Sequence, residues 1–421
     1  MMKKKRETKI LTIVLTTLLT LLCIAAAAAG MGYQKLNDSV QLIQPIAKEE
    51  IETMENEYIK EETKKKLKEN WMVAIFGIDS RDASALASAN SDVILLVSIN
   101  SKNGAIKLAS VYRDTCLKTG DFRYRKANEA YARGGPAAAV QMLNENLDLE
   151  IDDYLAVNWS AAASAINLLG GTDIELSKKE LRYLNAYITE TVKSTKIPST
   201  QLKNPGKNHL DGVQTVAYCR LRNLDNDFER TKRQREILKQ LFKKVQSSDW
   251  ATINNLIQTV FPQTASSIDT SDIIILGRNI FSYHFSDMTG FPFSHKESTV
   301  DRASYVFPDT LEENVSKLHT FLYGDTYVPS ENVKQISDAI ELKSGKKKIE
   351  KKEEKETTGE TIIGTVVAEE TTGKEESVAE EFEHGEEEIE ESLSSGPASD
   401  SQAQQKKEPI GPGYEISQSN D

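Results

Sequence analysis

Three regimes of apolar patterning succeed one another along the chain. Residues 10–30 carry no charged side chain and consist mainly of Leu, Ile, Val, Thr and Ala. About 20 such residues, rising about 1.5 Å each in a helix, cross a hydrocarbon core of about 30 Å. Between residues 71 and 324, short apolar runs alternate with stretches of helical periodicity. After residue 345 apolar side chains thin out among Glu, Lys, Thr, Ser and Gly, too few to offset the entropy of ordering.

The middle regime resolves into elements. Runs 72–78 and 93–99 read as buried strands, and Asn103-Gly104 turns the chain into a hairpin partner over 105–111. Pro136, after Gly134-Gly135, suits the first turn of a helix reaching about residue 147. A strand near 154–157, a helix over 160–169, a Gly170-Gly171 stop and a strand near 174–176 follow. Helices are predicted over 177–192, 212–221, 229–245 and 250–259, then a late strand over 273–276 and a last helix over 311–321. Strands alternating with helices imply an α/β domain in three layers over 71–324, and about 250 residues suffice for a sizeable core.

The rest of the chain divides by composition. Residues 1–9 are basic, with Lys3, Lys4, Lys5, Arg6 and Lys9; after the apolar run come Asp38, Glu49, Glu50 and Glu52. Basic flanks stay in the cytoplasm, so 10–32 reads as an anchor in the cytoplasmic membrane, with everything after it outside. A cleaved secretory signal competes, since Ala25 to Ala29 could satisfy a small-residue cleavage site; the run is longer than the usual core of such a signal. Residues 33–70 are polar, with Ile51, Met54 and Tyr58 at helical spacing, and read as a partly helical stalk. Residues 325–421 read as a linker and a disordered acidic tail. The net charge of −12 belongs to that tail: residues 345–421 hold 9 Lys+Arg and 21 Asp+Glu, leaving the body balanced. A globally basic nucleic-acid binder is thereby disfavoured.

Candidate chemistry gathers where elements end. Asp79 and Arg81 close the first strand and Asp92 opens the second. If those strands are neighbours, two carboxylates without His or Cys partners suit a hard cation such as Mg²⁺ arriving with phosphate. The plainer alternative is a loop cap at Asp79 and a surface ion pair at Asp92. Arg113 and Asp114 end the third strand; Arg123, Arg125, Lys126 and Asn128 follow. Much later come Arg220, Arg222, Asp225, Asp227, Arg230, Arg233, Gln234 and Arg235. Asp227 suits the N-cap of the helix near Glu229, and Arg230 and Gln234, four apart, share a face. Arginines from separate segments beside a helix start can build a diphosphate socket, since guanidinium forks match phosphate oxygens. An exposed, charge-laced helix is the alternative for 222–244. Cys116 and Cys219 read as two buried thiols, a single bridge being the other option, and the five histidines fall in no metal or triad spacing.

The stretches FGIDSRD, SDVILLVSIN, VYRDT, KANEAYARGGP, INLLGGTDIEL, HLDGVQTVAYCRLR and DNDFERTKRQREIL, over 73–245, together resemble the LytR-CpsA-Psr family of cell-wall glycopolymer transferases. The resemblance implies an α/β/α sandwich with a pocket for a polyprenyl tail. It implies Mg²⁺ on Asp79 and Asp92, and a diphosphate held by Arg81, Arg113, Arg220, Arg222 and Arg230 with Lys126 and Gln234 assisting. Asp227 would orient the arginines or move a proton. Two departures stand out: Tyr112 where the family commonly has Pro, and Asn90 where members often carry Arg. The implied reaction transfers a glycopolymer from undecaprenyl pyrophosphate to peptidoglycan or another wall acceptor. Alternatives are a pyrophosphatase using the same site, a non-enzymatic lipid-linked glycopolymer carrier, and a transcriptional regulator, which an extracytoplasmic location would exclude.

Overall fold

The structure, a computed structural model, describes residues 34, 51, 54, 56–78, 89–120, 123–222 and 227–346, the side chain of Asp227 excepted. The predicted anchor, most of the predicted stalk and the acidic tail lie outside the described residues. Among those described, no helix is long and apolar enough to cross a membrane.

Helix α1 (Glu61–Leu67) leads into strand β1 (Asn70–Ile78), which pairs antiparallel with β2 (Ser91–Asn100), itself antiparallel to β3 (Ala105–Val111). A small hairpin, β4 (Cys116–Thr119) with β5 (Arg123–Lys126), precedes α2 (Ala127–Leu147). Strand β6 (Asp153–Asn158) runs parallel to β1, then α3 (Trp159–Leu168), β7 (Thr172–Leu176) and α4 (Lys178–Thr195) follow. Next come β8 (Gly206–Leu210), α5 (Gly212–Arg220), α6 (Asp227–Ser247), α7 (Trp250–Val260), β9 (Thr264–Ser266) and α8 (Thr270–Asn279). Strands β10 (His284–Phe291), β11 (His295–Val300) and β12 (Ala303–Pro308) and helices α9 (Leu311–Tyr323) and α10 (Glu331–Lys343) complete the body. The central sheet is ordered β10-β3-β2-β1-β6-β9.

Alternation in β1 divides the core between two faces, as a period of two requires. Met72, Ala74, Phe76 and Ile78 pack with Val140, Leu143 and Leu147 of α2, Leu318 of α9 and Ile336 of α10. Trp71, Val73 and Ile75 pack on the other face with Ile253 and Ile257 of α7 and Ile273 of α8. Helices on both faces of one mixed sheet give the three layers expected. Full burial of side chains such as Phe76 and Leu96 contributes about 1.5–3 kcal/mol each.

Three expectations are corrected. The predicted late strand over 273–276 is the middle of helix α8. Asp269 caps it, accepting from the Asp272 N–H while the Asp272 side chain accepts from the Asp269 N–H, so the apolar run belongs to a helix. The ordered body does not end at 324: α10 buries Val333, Ile336 and Ile340 in the larger core, which puts 325–346 with the domain rather than with a linker. Helix α2 begins at Ala127; Gly134 and Gly135 break it, Gly135 at φ 65, and Pro136 restarts it as the sequence indicates.

The sheet has two distinct ends. At one, Ile78 pairs with Ser91 and Val111 with Ile94. At the other, Asn70 pairs with Asn100 and His284 with Ala105. The candidate site occupies the first of these.

Candidate diphosphate site

Asp92 stands second in β2 and accepts hydrogen bonds from three arginines. Arg113 Nη1 donates to its Oδ1 at 2.7 Å and Arg222 Nη2 to its Oδ2 at 2.7 Å. Arg230 Nη2 donates to the Asp92 backbone carbonyl at 3.3 Å. Burial alone would raise the Asp92 pKa; the guanidiniums of Arg113, Arg222 and Arg230 outweigh it and hold the carboxyl below its ordinary value. Arg113 also approaches Asp114, Nε to Oδ2 at 3.6 Å, and Lys126 Nζ lies 3.1 Å from Asp114 Oδ1. Cations and carboxylates thus alternate from Lys126 through Asp114, Arg113 and Asp92 to Arg222.

The backbone around Arg113 is pinned on several sides. The Tyr112 N–H donates to Phe291 O, Asn128 N–H to Arg113 O, Ala127 N–H to Thr115 O and Val306 N–H to Asp114 O. Three elements, β10, α2 and β12, therefore fix where this guanidinium starts. Aromatic packing joins its loop to α6: the Tyr112 ring meets Phe228 edge-on at 4.5 Å, and Phe228 lies 4.4 Å from the His295 ring. Gly290 makes room for Tyr112, because a Cβ there would overlap the tyrosine hydroxyl.

Arg220 and Gln234 sit differently. Arg220 closes α5 and stacks its guanidinium 3.4 Å above the Trp159 ring, with Tyr187 at 5.7 Å. Its remaining donors reach Glu190 at 2.7 Å and Thr191 Oγ1 at 2.8 Å. The described contacts thus hold Arg220 in a nest among α3, α4 and α5, apart from the Asp92 group. Gln234 donates to Cys219 O at 3.1 Å, and its buried Oε1 has no hydrogen-bond partner among the described residues. The structure therefore brings together Asp92, Arg113, Lys126, Arg222 and Arg230. Asp79 and Arg81 lie outside the described residues, as does the side chain of Asp227, which begins α6.

Cys116 and Cys219 are free thiols, and burial pushes both up to about 12. Sequence reasoning did not find Asp114 as the bridge between Arg113 and Lys126, although it stands in the quoted VYRDT stretch. Nor did it find the Tyr112–Phe228–His295 cluster, whose members are too far apart in the chain to give a local signal. Among the described residues no three His, Cys, Asp or Glu side chains group as metal ligands.

Fold and site together define a three-layer α/β protein with a half-buried carboxylate at one sheet end that gathers guanidiniums from the loop after β3, the α5–α6 connection and α6. The chain belongs to the LytR_cpsA_psr family, whose model matches residues 33–320. It is similar to the polyisoprenyl-teichoic acid–peptidoglycan teichoic acid transferase TagT of Bacillus subtilis (strain 168): 28% identical over 282 residues, 65% of this chain and 82% of that protein. It is also similar to the transferase TagU of Enterococcus faecalis (strain ATCC 700802 / V583), 28% identical over 183 residues, 43% of this chain and 55% of that protein. Among solved structures, protein gbs0355 of Streptococcus agalactiae has the same fold, with a TM-score of 0.53 at 22% identity, covering 62% of this chain and 91% of that one.

Proposed function

We propose that this protein is an extracytoplasmic phosphotransferase that moves a glycopolymer from an undecaprenyl-pyrophosphate carrier onto peptidoglycan or another wall acceptor. The observation that carries this reading is the convergence of Arg113, Arg222 and Arg230 on Asp92. Three guanidiniums held around one anion form a socket in which a diphosphate can take over the donors that Asp92 now occupies. Relatives named as teichoic acid transferases supply the reaction class.

In this reading an acceptor hydroxyl attacks the sugar-side phosphorus. The bond from that phosphorus to the bridging oxygen breaks, and undecaprenyl phosphate leaves with the electron pair. Arg113, Arg222 and Arg230 stabilise the charge on the equatorial and leaving oxygens, and Lys126 extends that field. Asp227, at the start of α6, would take the hydroxyl proton or orient the arginines. Asp92 is chemically suited to Mg²⁺: it is an anionic hard-oxygen donor, and each carboxylate oxygen keeps a lone pair beyond its arginine. Asp92 and Asp79 would hold the ion, which when bound would neutralise phosphate charge and orient the diphosphate. The apolar run at 10–32 would anchor the chain in the membrane, with the site outside.

Arg113→Ala tests the site. It removes charge-assisted contacts worth about 1.5–3 kcal/mol, so lipid-diphosphate affinity should fall roughly ten- to hundredfold while far-UV dichroism stays unchanged. Transfer of polymer at the parental rate by this variant would refute the assignment. Release of polymer to water regardless of acceptor would instead identify a pyrophosphatase.

A further inference from the structure

Six large apolar side chains stand well exposed among the described residues: Tyr58, Trp250, Ile275, Phe281, Val328 and Leu342. Hydrogen bonds and strand pairings locate five of them at one place, the end of the sheet opposite the candidate site. Gln246, near the end of α6, donates to Ile280 O and Tyr283 O, so Trp250 and Phe281 neighbour the start of β10. Ile275 lies on α8, whose Ile273 packs with Trp71 and Val73 at the start of β1. Tyr58 follows Asn56, which donates to Asn144 O near the end of α2. Val328 lies between Tyr327 and Ser330, both bonded to Asp148, the residue that ends α2. Leu342 alone lies elsewhere, at the far end of α10, where its neighbour Lys343 donates to Tyr124 O.

The exposure is large where it matters: 73% for Trp250, 78% for Phe281 and 79% for Val328. These side chains come from layers on both faces of the sheet, so they ring one end of the molecule instead of lining a groove. A ring of exposed Trp, Phe, Tyr and aliphatic side chains fits a flat, deformable apolar partner, and aromatic rings favour the boundary between headgroups and acyl chains. The route of the chain names that partner. The apolar run ends at Gly30, and Ile51 and Met54 already pack in the core beside α2. A link of about 20 residues reaches at most about 70 Å when extended, so the anchor keeps this end within reach of the bilayer. Charges of both signs, such as Lys65, Glu62, Lys102 and Glu69, stand around α1 and the β2–β3 turn, so the attraction rests on the apolar side chains and not on headgroup charge.

We infer that the sheet end carrying Tyr58, Trp250, Ile275, Phe281 and Val328 docks onto the lipid bilayer that holds the chain's own N-terminal anchor. The inference rests on residues 10–32 being that anchor and is independent of the phosphotransfer reading. Docked this way, the molecule points its arginine socket away from the membrane. Nine residues of β1 at about 3.3 Å each separate the two ends, so the diphosphate would be gripped about 30 Å above the bilayer.

Emission of Trp250 tests it in the full chain reconstituted into phosphatidylcholine vesicles with brominated acyl chains, since bromine quenches only rings that reach the lipid. The other two tryptophans are less exposed: Trp71 packs against Val73, Ile257 and Ile273, and Arg220 covers the Trp159 ring. Parental emission should drop strongly against plain vesicles, and Trp250→Phe should abolish the drop. In that background Val328→Trp should restore quenching and Leu342→Trp should give unquenched emission. A chain that floats with vesicles yet shows no quenching overturns the docking. So does equal quenching of the Val328→Trp and Leu342→Trp chains, which would mean tethering without orientation. A chain that does not float removes the anchor and the docking with it. Concentration-dependent shielding of Trp250 without lipid would give the surface to a second copy.

Discussion

Asp92, half-buried, and Asp148, buried, are carboxylates at opposite ends of the domain, and their environments push them in opposite directions. Asp92 sits among guanidiniums that hold its carboxyl below the ordinary value. Asp148 is fully buried and surrounded by neutral donors: Ser330 through its N–H and hydroxyl, and the Tyr327 hydroxyl. Burial there pushes the carboxyl up more than those hydrogen bonds pull it down. One carboxylate balances charge that an anionic ligand could balance instead. The other ties α2 to the start of α10, a joint that any well-shaped acceptor could make. Charge partners, more than depth, separate a site that can exchange its anion from one that only holds the fold.

The most direct way to break this contrast is Asp92→Asn. It leaves Arg113 and Arg222 facing a neutral amide, and loss of the anion from this partly buried ionic group should cost about 2 kcal/mol in denaturant unfolding. Inorganic pyrophosphate should restore much of that loss by supplying the missing charge. Unchanged stability, or no rescue, would mean that Asp92 does not stand in for a phosphate. Sign follows from the depressed folded pKa: the stability Asp92 contributes is present above its unfolded value near 3.8 and is lost as pH falls through the lower folded one.

The Asp148 joint also contains His319, stacked on Tyr327 at 3.8 Å and bonded to Leu147 O. Burial lowers the His319 pKa from 6.5 to about 4. The folded state keeps this imidazole neutral while the unfolded chain takes up a proton below pH 6.5. Stability should therefore fall as pH drops from about 6.5 to about 4, by roughly 3 kcal/mol over the window. His319→Gln should flatten that slope; a parental slope in the variant would place the titration elsewhere.

A smaller effect extends the contrast to the cations. Arg220→Ala should cost about 2 kcal/mol of stability, from the lost ring stack and ion pair, and leave diphosphate affinity unchanged. Loss of affinity as large as that of Arg113→Ala, at unaltered stability, would return Arg220 to the socket.

Much of this was legible in the sequence, and the gaps have physical causes. Strands β1 and β2 announce themselves because both faces are covered, which makes their apolar runs continuous, and the Asn103-Gly104 turn marks β3 as the next partner. Strand β10, with the sequence HFSDMTGF, lies at the sheet edge and is half-exposed, so neither alternation nor a run marks it. The run Ile273 to Leu276 has the composition of a strand, and only the Asp269–Asp272 capping pair distinguishes it as a helix. At the site, the arginine-rich stretches point to anion binding. That Arg222 turns to Asp92 while Arg220, two residues earlier, turns to Trp159 is decided by residues some 60 and 130 positions away, for which local spacing carries no information.

The fit between Tyr112 and Gly290 couples two positions far apart in the chain. Any side chain at position 290 would collide with the Tyr112 hydroxyl, and Phe228 and His295 flank the ring that would have to move. Tyr112 can shrink with Gly290 in place, but Gly290 cannot grow with Tyr112 in place. A tyrosine beside the site arginine thus makes the two positions interdependent: a side chain at position 290 calls for a smaller residue at 112 or a displaced ring.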